Sequence, residues 1–460
     1  RLFCFFHRYL YDLERVSLGT SEMERSWIWA LFIGLTLSFP SDEVNLCARL
    51  PDLCSFKSYS GFADVDAGSL FYWYFEPNVS MNVEELPLIL WLQGGPGASS
   101  MMGTFFEFGP VSLSSDGESL LPRRWNETWI SQVPVVFVDS PVGTGWSFAK
   151  HNDSYAKSQD DVAHALGQFL EIFASRHVQS PLKRRLVLAG ESYGGHFIPS
   201  LGNYLLKTPG SFHLDAIMVG DGLTDPGTQV LTKPSEAFAL GLLDEKQRDK
   251  AQHLAQQAHD LVEQGRFVEA AEFRYAMEDF VKNVSLINPY DVRTTEQYGW
   301  QQDRMKTFFN KPSSKELLHI PQNLTFGTSP QVHENLKADI MKSQKSHVES
   351  LLKSGVRVLL YQGQFDWKDG FVSNAAWIRT LSWAGTADFL SSKRHLWRRG
   401  DGEIAGYWKK FENLEQVLVL GAGHLVPMNQ PLSAVDMMQR FLRLSHLTSD
   451  AFSDAKAVIV

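Results

Sequence analysis

Short hydrophobic runs, turn residues and longer segments of helical periodicity alternate along the chain from about Leu86 onward. Most of the runs are apolar throughout, as strands covered on both faces are. The six predicted strands are Leu86 to Leu92, Val133 to Asp139, Arg185 to Ala189, Ala216 to Val219, Val356 to Tyr361 and Gln416 to Leu420. An antiparallel hairpin is predicted before them in Gly61 to Phe75, with its turn at Asp66, Ala67 and Gly68. The pattern therefore predicts the α/β class, with a mostly parallel central sheet flanked by helices.

A long segment between the two strand-rich parts has a different composition. Leu242 to about Lys282 is poor in Gly and Pro and rich in Ala, Gln, Glu, Leu and Arg, so its residues favour helix, with Gly265 expected between two helices. We predict that residues 226–335 form a helical cap insertion in a core made of residues 41–225 and 336–447. The alternative is that these helices cover the core in the ordinary way.

The N-terminal part has the layout of a signal peptide. The first methionine is Met23, and a short apolar run from Trp27 to Leu37 follows it after two charged residues. This run is too short to cross a bilayer, which takes about 20 residues. We expect residues 23–40 to be the signal peptide and residues 1–22 to lie upstream of the translation start; a buried N-terminal helix is the alternative. Residues 448–460 are expected to form a loose tail.

Acceptor motifs for N-glycosylation, like the signal peptide, indicate the secretory pathway. These Asn-x-Ser/Thr sequences begin at Asn78, Asn126, Asn152, Asn283 and Asn323. With a signal peptide they predict a secreted or lysosomal protein that is not held in a membrane once the signal is removed. Cys47 and Cys54 could close a small disulfide loop there, although sequence spacing alone does not decide whether two cysteines pair.

Composition and charge exclude several classes of protein. The chain has 460 residues, 44% of them hydrophobic, which is an ordinary globular composition rather than a disordered or multi-span membrane one. A net charge of -9 disfavours nucleic-acid binding, and three cysteines exclude a multi-cysteine zinc module. Because dinucleotide, P-loop and zinc-protease motifs are missing, neither a cofactor nor a metal is expected. The basic stretch from Lys393 to Arg399 is interpreted as a solvated loop rather than a processing or partner site.

Residues 190–194 read Gly-Glu-Ser-Tyr-Gly and directly follow a predicted strand. In this G-x-S-x-G pattern, glycines allow a sharp turn from strand to helix that exposes the serine hydroxyl. A helical pattern through Leu201 to Leu206 completes the expected context. Ser192 is therefore the candidate nucleophile.

A serine nucleophile requires a histidine base oriented by a carboxylate, in the chain order Ser, Asp, His. Asp366 follows the strand that ends at Tyr361, and His424 follows the strand that ends at Leu420. Because ligands bind beyond the carboxyl ends of parallel strands, these side chains are expected at the same edge as Ser192. Asp369 is the rival candidate for the acid.

Acyl transfer also requires amide donors that stabilise an oxyanion. Tyr193, directly after the nucleophile, supplies the first candidate, and Gly95 in the glycine-rich stretch after Leu92 supplies the second. The alternative for Gly95 is a glycine turn without a chemical role.

Together these residues resemble the serine carboxypeptidases, which have the α/β-hydrolase fold. The matching stretches are WLQGGPGASS (91–100), FEFGP (106–110), DSPVGTGWSF (139–148), GESYGGHFIP (190–199), GDGLTDP (220–226), YQGQFD (361–366) and GAGHLVPMNQP (421–431). Gln93 and the stretches GLLDEKQ (241–247) and IAGYWKKFENLEQVLVL (404–420) look closest to the vitellogenic-like and retinoid-inducible branch. The resemblance implies an exopeptidase that acts at acid pH and releases C-terminal amino acids from peptides and proteins through an acyl-enzyme intermediate. It assigns Ser192 as nucleophile, His424 as base, Asp366 as its partner, and Gly95 with Tyr193 as the oxyanion hole.

The family also binds the terminal carboxylate of the substrate, and the matching positions are Gln93, Glu107 and Glu191. A glutamic acid can donate to a carboxylate only when it is protonated, which accounts for activity at acid pH. This chain departs from many members at Gln93, where Asn is common, at Ala98, where Cys is common, and at Asn429, where Asp is common.

Two other functions stay open at this level. Acyl transfer to an alcohol could use the same scaffold, and the fold could serve a non-catalytic binding protein, although Ser192, Asp366 and His424 argue against the latter. Neither the residue preference beside the scissile bond nor the choice between monomer and homodimer can be read from the sequence.

Overall fold

A computed structural model describes residues 42–54, 56–77, 79, 82–178, 183–297, 299–328 and 330–444. The predicted upstream segment 1–22, signal peptide 23–40 and tail 448–460 lie outside the described residues.

The predicted strands and helices are present in the structure, close to the residues where the sequence predicts them. The strands are β1 (Lys57–Val65), β2 (Gly68–Glu76), β3 (Leu88–Leu92), β4 (Val111–Leu113), β5 (Leu120–Pro122), β6 (Val135–Val138), β7 (Thr144–Gly145), β8 (Phe148–Ala149), β9 (Arg184–Glu191), β10 (Phe212–Gly220), β11 (Gly327–Thr328), β12 (Arg357–Gly363), β13 (His395–Arg398), β14 (Ile404–Phe411) and β15 (Leu414–Val419). The α-helices are α1 (Gln159–His177), α2 (Gly194–Lys207), α3 (Pro226–Ala239), α4 (Glu245–Glu263), α5 (Phe267–Ser285), α6 (Trp300–Phe309), α7 (Pro312–Leu317), α8 (Pro330–Leu336), α9 (Lys345–Lys353), α10 (Phe371–Ile378), α11 (Thr386–Ser391), α12 (Val426–Asn429) and α13 (Pro431–Leu442). Short 3₁₀ turns lie at Pro51–Leu53, Val83–Glu85, Trp125–Glu127 and Trp129–Ser131, and a π-helical turn lies at Gly103–Glu107.

The large sheet has the order β1-β2-β6-β3-β9-β10-β12-β15-β14-β13, with β8 beside β2. The strands from β6 to β15 in this order run parallel, and the pairs at both ends of the sheet are antiparallel. These six parallel strands are the six that the hydrophobic pattern predicts. The α/β class and the mostly parallel sheet are therefore confirmed.

Two elements differ from the sequence-based expectation. The hairpin is longer than predicted, since β1 and β2 pair from Lys57 opposite Glu76 to Val65 opposite Gly68. The sequence predicts a solvated loop from Lys393 to Arg399. His395, Leu396 and Arg398 are exposed, as this predicts, but the loop is wrong, because His395–Arg398 forms β13 at the sheet edge. Only Trp397 of that strand is buried, so its hydrophobic pattern is too sparse to predict a strand.

Each face of the sheet is covered by its own hydrophobic layer. On β3, Leu88, Leu90 and Leu92 face one layer, whereas Ile89 and Trp91 face the other. The first layer includes apolar residues of α1, α2 and α9, and the second includes those of α13. Both faces of the parallel strands are thus excluded from water, which leaves their carboxyl ends as the place for polar chemistry.

A third hydrophobic cluster lies among the helices that follow β10. It joins Val230 of α3, Ala255 of α4 and Met277 of α5 to Trp367, which follows β12. Gly265 separates α4 and α5 as predicted and has a φ of 72°, which glycine adopts readily. Helices α3, α4 and α5 thus pack against the loop that follows the parallel strand β12. The cap insertion with the boundaries 226–335 stays a prediction.

Candidate active site

Ser192 lies in the sharp turn between β9 and α2, with a φ of 59°. Holding a non-glycine residue in this region costs about 1–3 kcal/mol. The turn is held from both sides, since the Ser192 amide donates to the Gly220 carbonyl at 3.0 Å and the Ser192 carbonyl accepts from the Leu223 amide at 2.9 Å. A Cβ on Gly190 would lie 2.6 Å from the Leu92 carbonyl oxygen, so glycine is required there for the close approach of β3.

His424 is hydrogen-bonded to Asp366, with 2.8 Å between its Nδ1 and the carboxylate Oδ2. Both side chains are almost fully buried. The Asp366 carboxylate also accepts from the amides of Lys368 at 2.7 Å and Asp369 at 3.1 Å. Among the described residues, the Nε2 of His424 has no hydrogen-bond partner. The geometry thus leaves one ring nitrogen free to exchange a proton.

Asp369, the rival acid, makes different contacts. Its carboxylate lies 3.8 Å from the Lys233 ammonium and 3.7 Å from the Arg274 guanidinium. Asp366, and not Asp369, is hydrogen-bonded to the histidine.

Asp221, which sequence reasoning did not single out, lies beside this pair. It follows β10 and is fully buried. One of its carboxylate oxygens lies within 4.8 Å of a carboxylate oxygen of Asp366 and of a ring nitrogen of His424. The Gly363 amide donates to both Asp221 oxygens, at 3.0 and 3.2 Å. Burial, and next the nearby Asp366 carboxylate, raise the pKa of Asp221 well above its ordinary value. The signal that could have found it is its place just past a parallel strand, which Asp366 and His424 share.

The side chains of Asp221, Asp366 and His424 also lie close enough together to hold a metal ion. However, the direct hydrogen bond between His424 and Asp366 and the backbone donors to both carboxylates already use most of their ligand positions. The arrangement therefore fits a proton-transfer site better than a metal centre.

Gly95 and Tyr193, the two candidate oxyanion donors, face the same cleft. Gly95 has a φ of 112°, and a Cβ there would lie 2.7 Å from the Ala98 amide nitrogen. A Cβ on the preceding Gly94 would lie 2.5 Å from the Tyr193 amide nitrogen, so these glycines bring the loop against the Ser192 turn. Neither the Gly95 amide nor the Tyr193 amide donates to another described residue. Both are available to a ligand.

Gln93, Glu107 and Glu191 form a buried polar cluster next to Ser192. The Gln93 amide donates to Glu191 Oε1 at 2.6 Å, and its oxygen accepts from the Trp91 indole at 3.0 Å, which fixes the orientation of the amide. The π-helical turn Gly103–Glu107 ends at Glu107. Burial raises the pKa of Glu107 to about 7, and burial together with the Glu107 charge raises that of Glu191 well above its ordinary value.

One cleft of about 330 Å³ collects most of the residues expected at the site. The predicted residues that line it are Gln93, Gly95, Glu191, Ser192, Tyr193 and His424. Glu107 and Asp366 are not among its lining residues and are fully or almost fully buried.

The other predicted sites are on the outside of the molecule or near its N-terminal end. Asn126, Asn152, Asn283 and Asn323 are exposed, and Asn78 lies outside the described residues. Cys47 and Cys54 are joined by a disulfide.

The parallel sheet with its strand-to-helix serine turn defines a hydrolase of the α/β-hydrolase fold. The serine carboxypeptidase family profile matches residues 49–444. Serine carboxypeptidase-like 50 of Arabidopsis thaliana is 36% identical, with 81% of this chain and 83% of the relative covered. Vitellogenic carboxypeptidase of Aedes aegypti is 32% identical, with 88% of each covered. The crystal structure of the prohormone-processing carboxypeptidase Kex1 of Saccharomyces cerevisiae matches with a TM-score of 0.79 and 25% identity, covering 88% of this chain and 97% of that one.

The chain therefore belongs to the serine carboxypeptidase family. It is a serine-type carboxypeptidase, a hydrolase that cleaves residues from the C-termini of peptides. Among the described residues, no helix is long and apolar enough to cross a membrane.

Proposed function

We propose that this carboxypeptidase acts through an acyl-enzyme formed on Ser192, with His424 as the base and Asp366 as the partner that orients it. The observation that carries the proposal is the 2.8 Å bond from His424 to Asp366, which leaves Nε2 unpartnered among the described residues in a cleft shared with Ser192. The Ser192 Oγ attacks the last peptide carbonyl and its proton passes to His424. His424 then protonates the leaving amine, and water deprotonated by His424 hydrolyses the ester.

The oxyanion that forms in both steps would accept hydrogen bonds from the amides of Gly95 and Tyr193. Backbone donors that are already oriented cost no reorganisation during the reaction, and losing one such donor typically costs about 3–4 kcal/mol. Their lack of another acceptor among the described residues supports this role.

The buried cluster of Gln93, Glu107 and Glu191 would bind the terminal carboxylate of the substrate. Gln93 donates through its amide, and the two glutamic acids donate only while they are protonated. Since the pKa values of both carboxyls are raised, they keep their protons at acid pH and repel the substrate less. This arrangement supports an acid pH optimum.

The KM for peptides with a free carboxylate is expected to rise as the pH passes through about 7, where Glu107 loses its proton. Peptides with an amidated C-terminus carry no charge to be repelled, so their KM should respond less. Steady-state kinetics on both series from acid to neutral pH checks this. In a Glu107→Gln variant, which stays neutral, the rise should shrink; equal pH profiles for the two series would contradict the assignment.

Asp221 would act as a positioning residue behind Asp366. In its protonated form it can donate to Asp366 while it accepts from the Gly363 amide. An Asn at this position can do both, through its amide nitrogen and oxygen, whereas Leu can do neither.

Asp221→Asn is therefore expected to keep kcat/KM within a few-fold, and Asp221→Leu to lower it about 10- to 100-fold, the cost of a hydrogen bond to a charged group. Thermal unfolding of both variants separates this effect from loss of folding. If Asn were as damaging as Leu, the hydrogen-bond role would be wrong. The pH dependence of kcat/KM gives a second measurement. Because Asn does not ionise, it removes any pH-dependent change in kcat/KM that is due to Asp221.

The protein is further proposed to enter the secretory pathway and to be secreted or lysosomal. The exposed positions of Asn126, Asn152, Asn283 and Asn323 and the disulfide between Cys47 and Cys54 support this location. N-terminal sequencing and glycosidase-induced mass shifts of the native protein test it. A mature N-terminus well before residue 35 would contradict the proposed signal cleavage.

The function as a whole is tested by a mass-spectrometric time course on a mixed peptide pool from acid to neutral pH. Stepwise loss of single C-terminal residues is expected, with faster loss at acid pH. Internal cleavage, or no cleavage while a fluorophosphonate still labels Ser192, would contradict it. Parallel incubation with acyl-glucose esters distinguishes acyl transfer from hydrolysis.

A further inference from the structure

One wall of the cleft carries charges that the proposed reaction does not use. Arg274 of α5 and Lys368 and Asp369, which follow β12, line the cleft with Ser192 and His424. Lys233 and Glu278 lie directly behind them and are buried. We call these five residues the charged wall.

Glu278 joins the three cations of the charged wall. Its carboxylate lies 3.0 Å from Lys233, 3.1 Å from Arg274 and 2.6 Å from Lys368. Burial alone would raise the pKa of Glu278, but Arg274, Lys233 and Lys368 outweigh it and hold the pKa well below its ordinary value. Glu278 is therefore ionised whenever the enzyme works, and it is shared among three positive charges.

Asp369 is the only other carboxylate of the charged wall. Burial raises its pKa, although Lys233 and Arg274 oppose the shift. Glu236, which lies near Lys233, has its pKa raised to about 8 by burial and is neutral at acid pH. With two carboxylates against three cations, the wall has an excess of positive charge, and protonation of Asp369 would increase that excess.

A donor of the charged wall also has no acceptor. The guanidinium of Arg274 is 4% exposed and its Nη2 forms an ion pair with Glu278, whereas its buried Nε has no hydrogen-bond partner among the described residues, and neither has the buried Oδ1 of Asp369. A buried, unsatisfied N–H of a charged group costs free energy that a bound acceptor can recover. Lys368 is 18% exposed and can reach the cleft directly.

We propose that the charged wall binds an acidic side chain, Asp or Glu, of the substrate residue next to the scissile bond. This inference rests on the proposed carboxypeptidase function and adds the residue preference. A carboxylate supplies both the negative charge that balances the wall and an acceptor for Arg274. A basic substrate side chain would instead be repelled by Arg274 and Lys368. Of the charged-wall residues that line the cleft, only Asp369 would attract it.

The test compares N-blocked tripeptides Ala-X-Leu and Ala-Leu-X, in which X is Glu, Gln or Lys, at about pH 5.5, where a Glu side chain is mostly ionised. Gln has the shape of Glu without its charge, so the ratio of their kcat/KM values isolates the charge. Glu is expected to exceed Gln by about tenfold or more at one of the two positions, and Lys to be the poorest. The two series show which substrate residue faces the wall.

Lys368→Gln is expected to bring the Glu-to-Gln ratio close to one, and Lys368→Arg to keep it. Lys311→Gln is the matched control, because Lys311 is 27% exposed, is paired with Glu118 and does not line the cleft, so its ratio should equal that of the unmodified enzyme. A ratio at or below one at both positions, or a preference for Lys, would overturn the inference while leaving the carboxypeptidase function intact. Failure to hydrolyse any of the peptides would overturn the proposed function itself.

Discussion

Replacing Ser192 with Ala is expected to lower kcat by about 10⁶, the loss typical of a nucleophile removed from a triad of this kind. The reason is that Ser192, at the φ of 59° turn between β9 and α2, is the only serine or threonine among the described residues that line the cleft with His424. Steady-state kinetics on a blocked peptide measures the loss. Labelling by a fluorophosphonate should disappear in parallel.

The matched control for this variant is Ser200→Ala. Ser200 is a buried serine of the same region, in α2; its hydroxyl is bonded to Gln344 at 3.0 Å, and the residue is not among those that line the cleft. Its loss is expected to leave labelling unchanged. Residual activity above about 10⁻³ in Ser192→Ala, with intact folding by thermal unfolding, would show that the nucleophile lies elsewhere.

The fold could be predicted because its signal is local. Strands buried on both faces are short and mostly continuous hydrophobic runs, and all six parallel strands are predicted on this basis. The carboxyl ends of those strands then place Ser192, Asp366 and His424 at one edge without further information. Edge strand β13 cannot be predicted in this way, because only Trp397 of its residues is buried.

The missed features depend on contacts between distant parts of the chain. Asp221 follows a predicted strand, but its importance comes from lying next to Asp366, which is far away in sequence. The charged wall requires α5 to pack beside the loop after β12, and neither hydrophobic periodicity nor motif spacing predicts that contact. The family resemblance places Glu107 at the carboxylate site, yet only the structure shows that it is fully buried.

Replacing Asp366 with Asn is expected to lower kcat by about 10⁴, the second-largest effect among these variants. The amide group of Asn would donate to the Nδ1 of His424 where the carboxylate accepts, so the ring would keep its proton on the wrong nitrogen. The imidazolium that forms during the reaction would also lose its nearby negative charge. Kinetics at several pH values measures the effect, with thermal unfolding as the check on folding.

Asp369→Asn is the comparison that decides between the two candidate acids. Asp369 contacts Lys233 and Arg274, and its carboxylate is not hydrogen-bonded to His424. Its replacement should therefore change kcat far less than that of Asp366, and its effect should fall on substrate preference and stability. A larger loss of kcat in Asp369→Asn than in Asp366→Asn would reverse the assignment, because the histidine would then depend on the carboxylate that it does not contact in this structure.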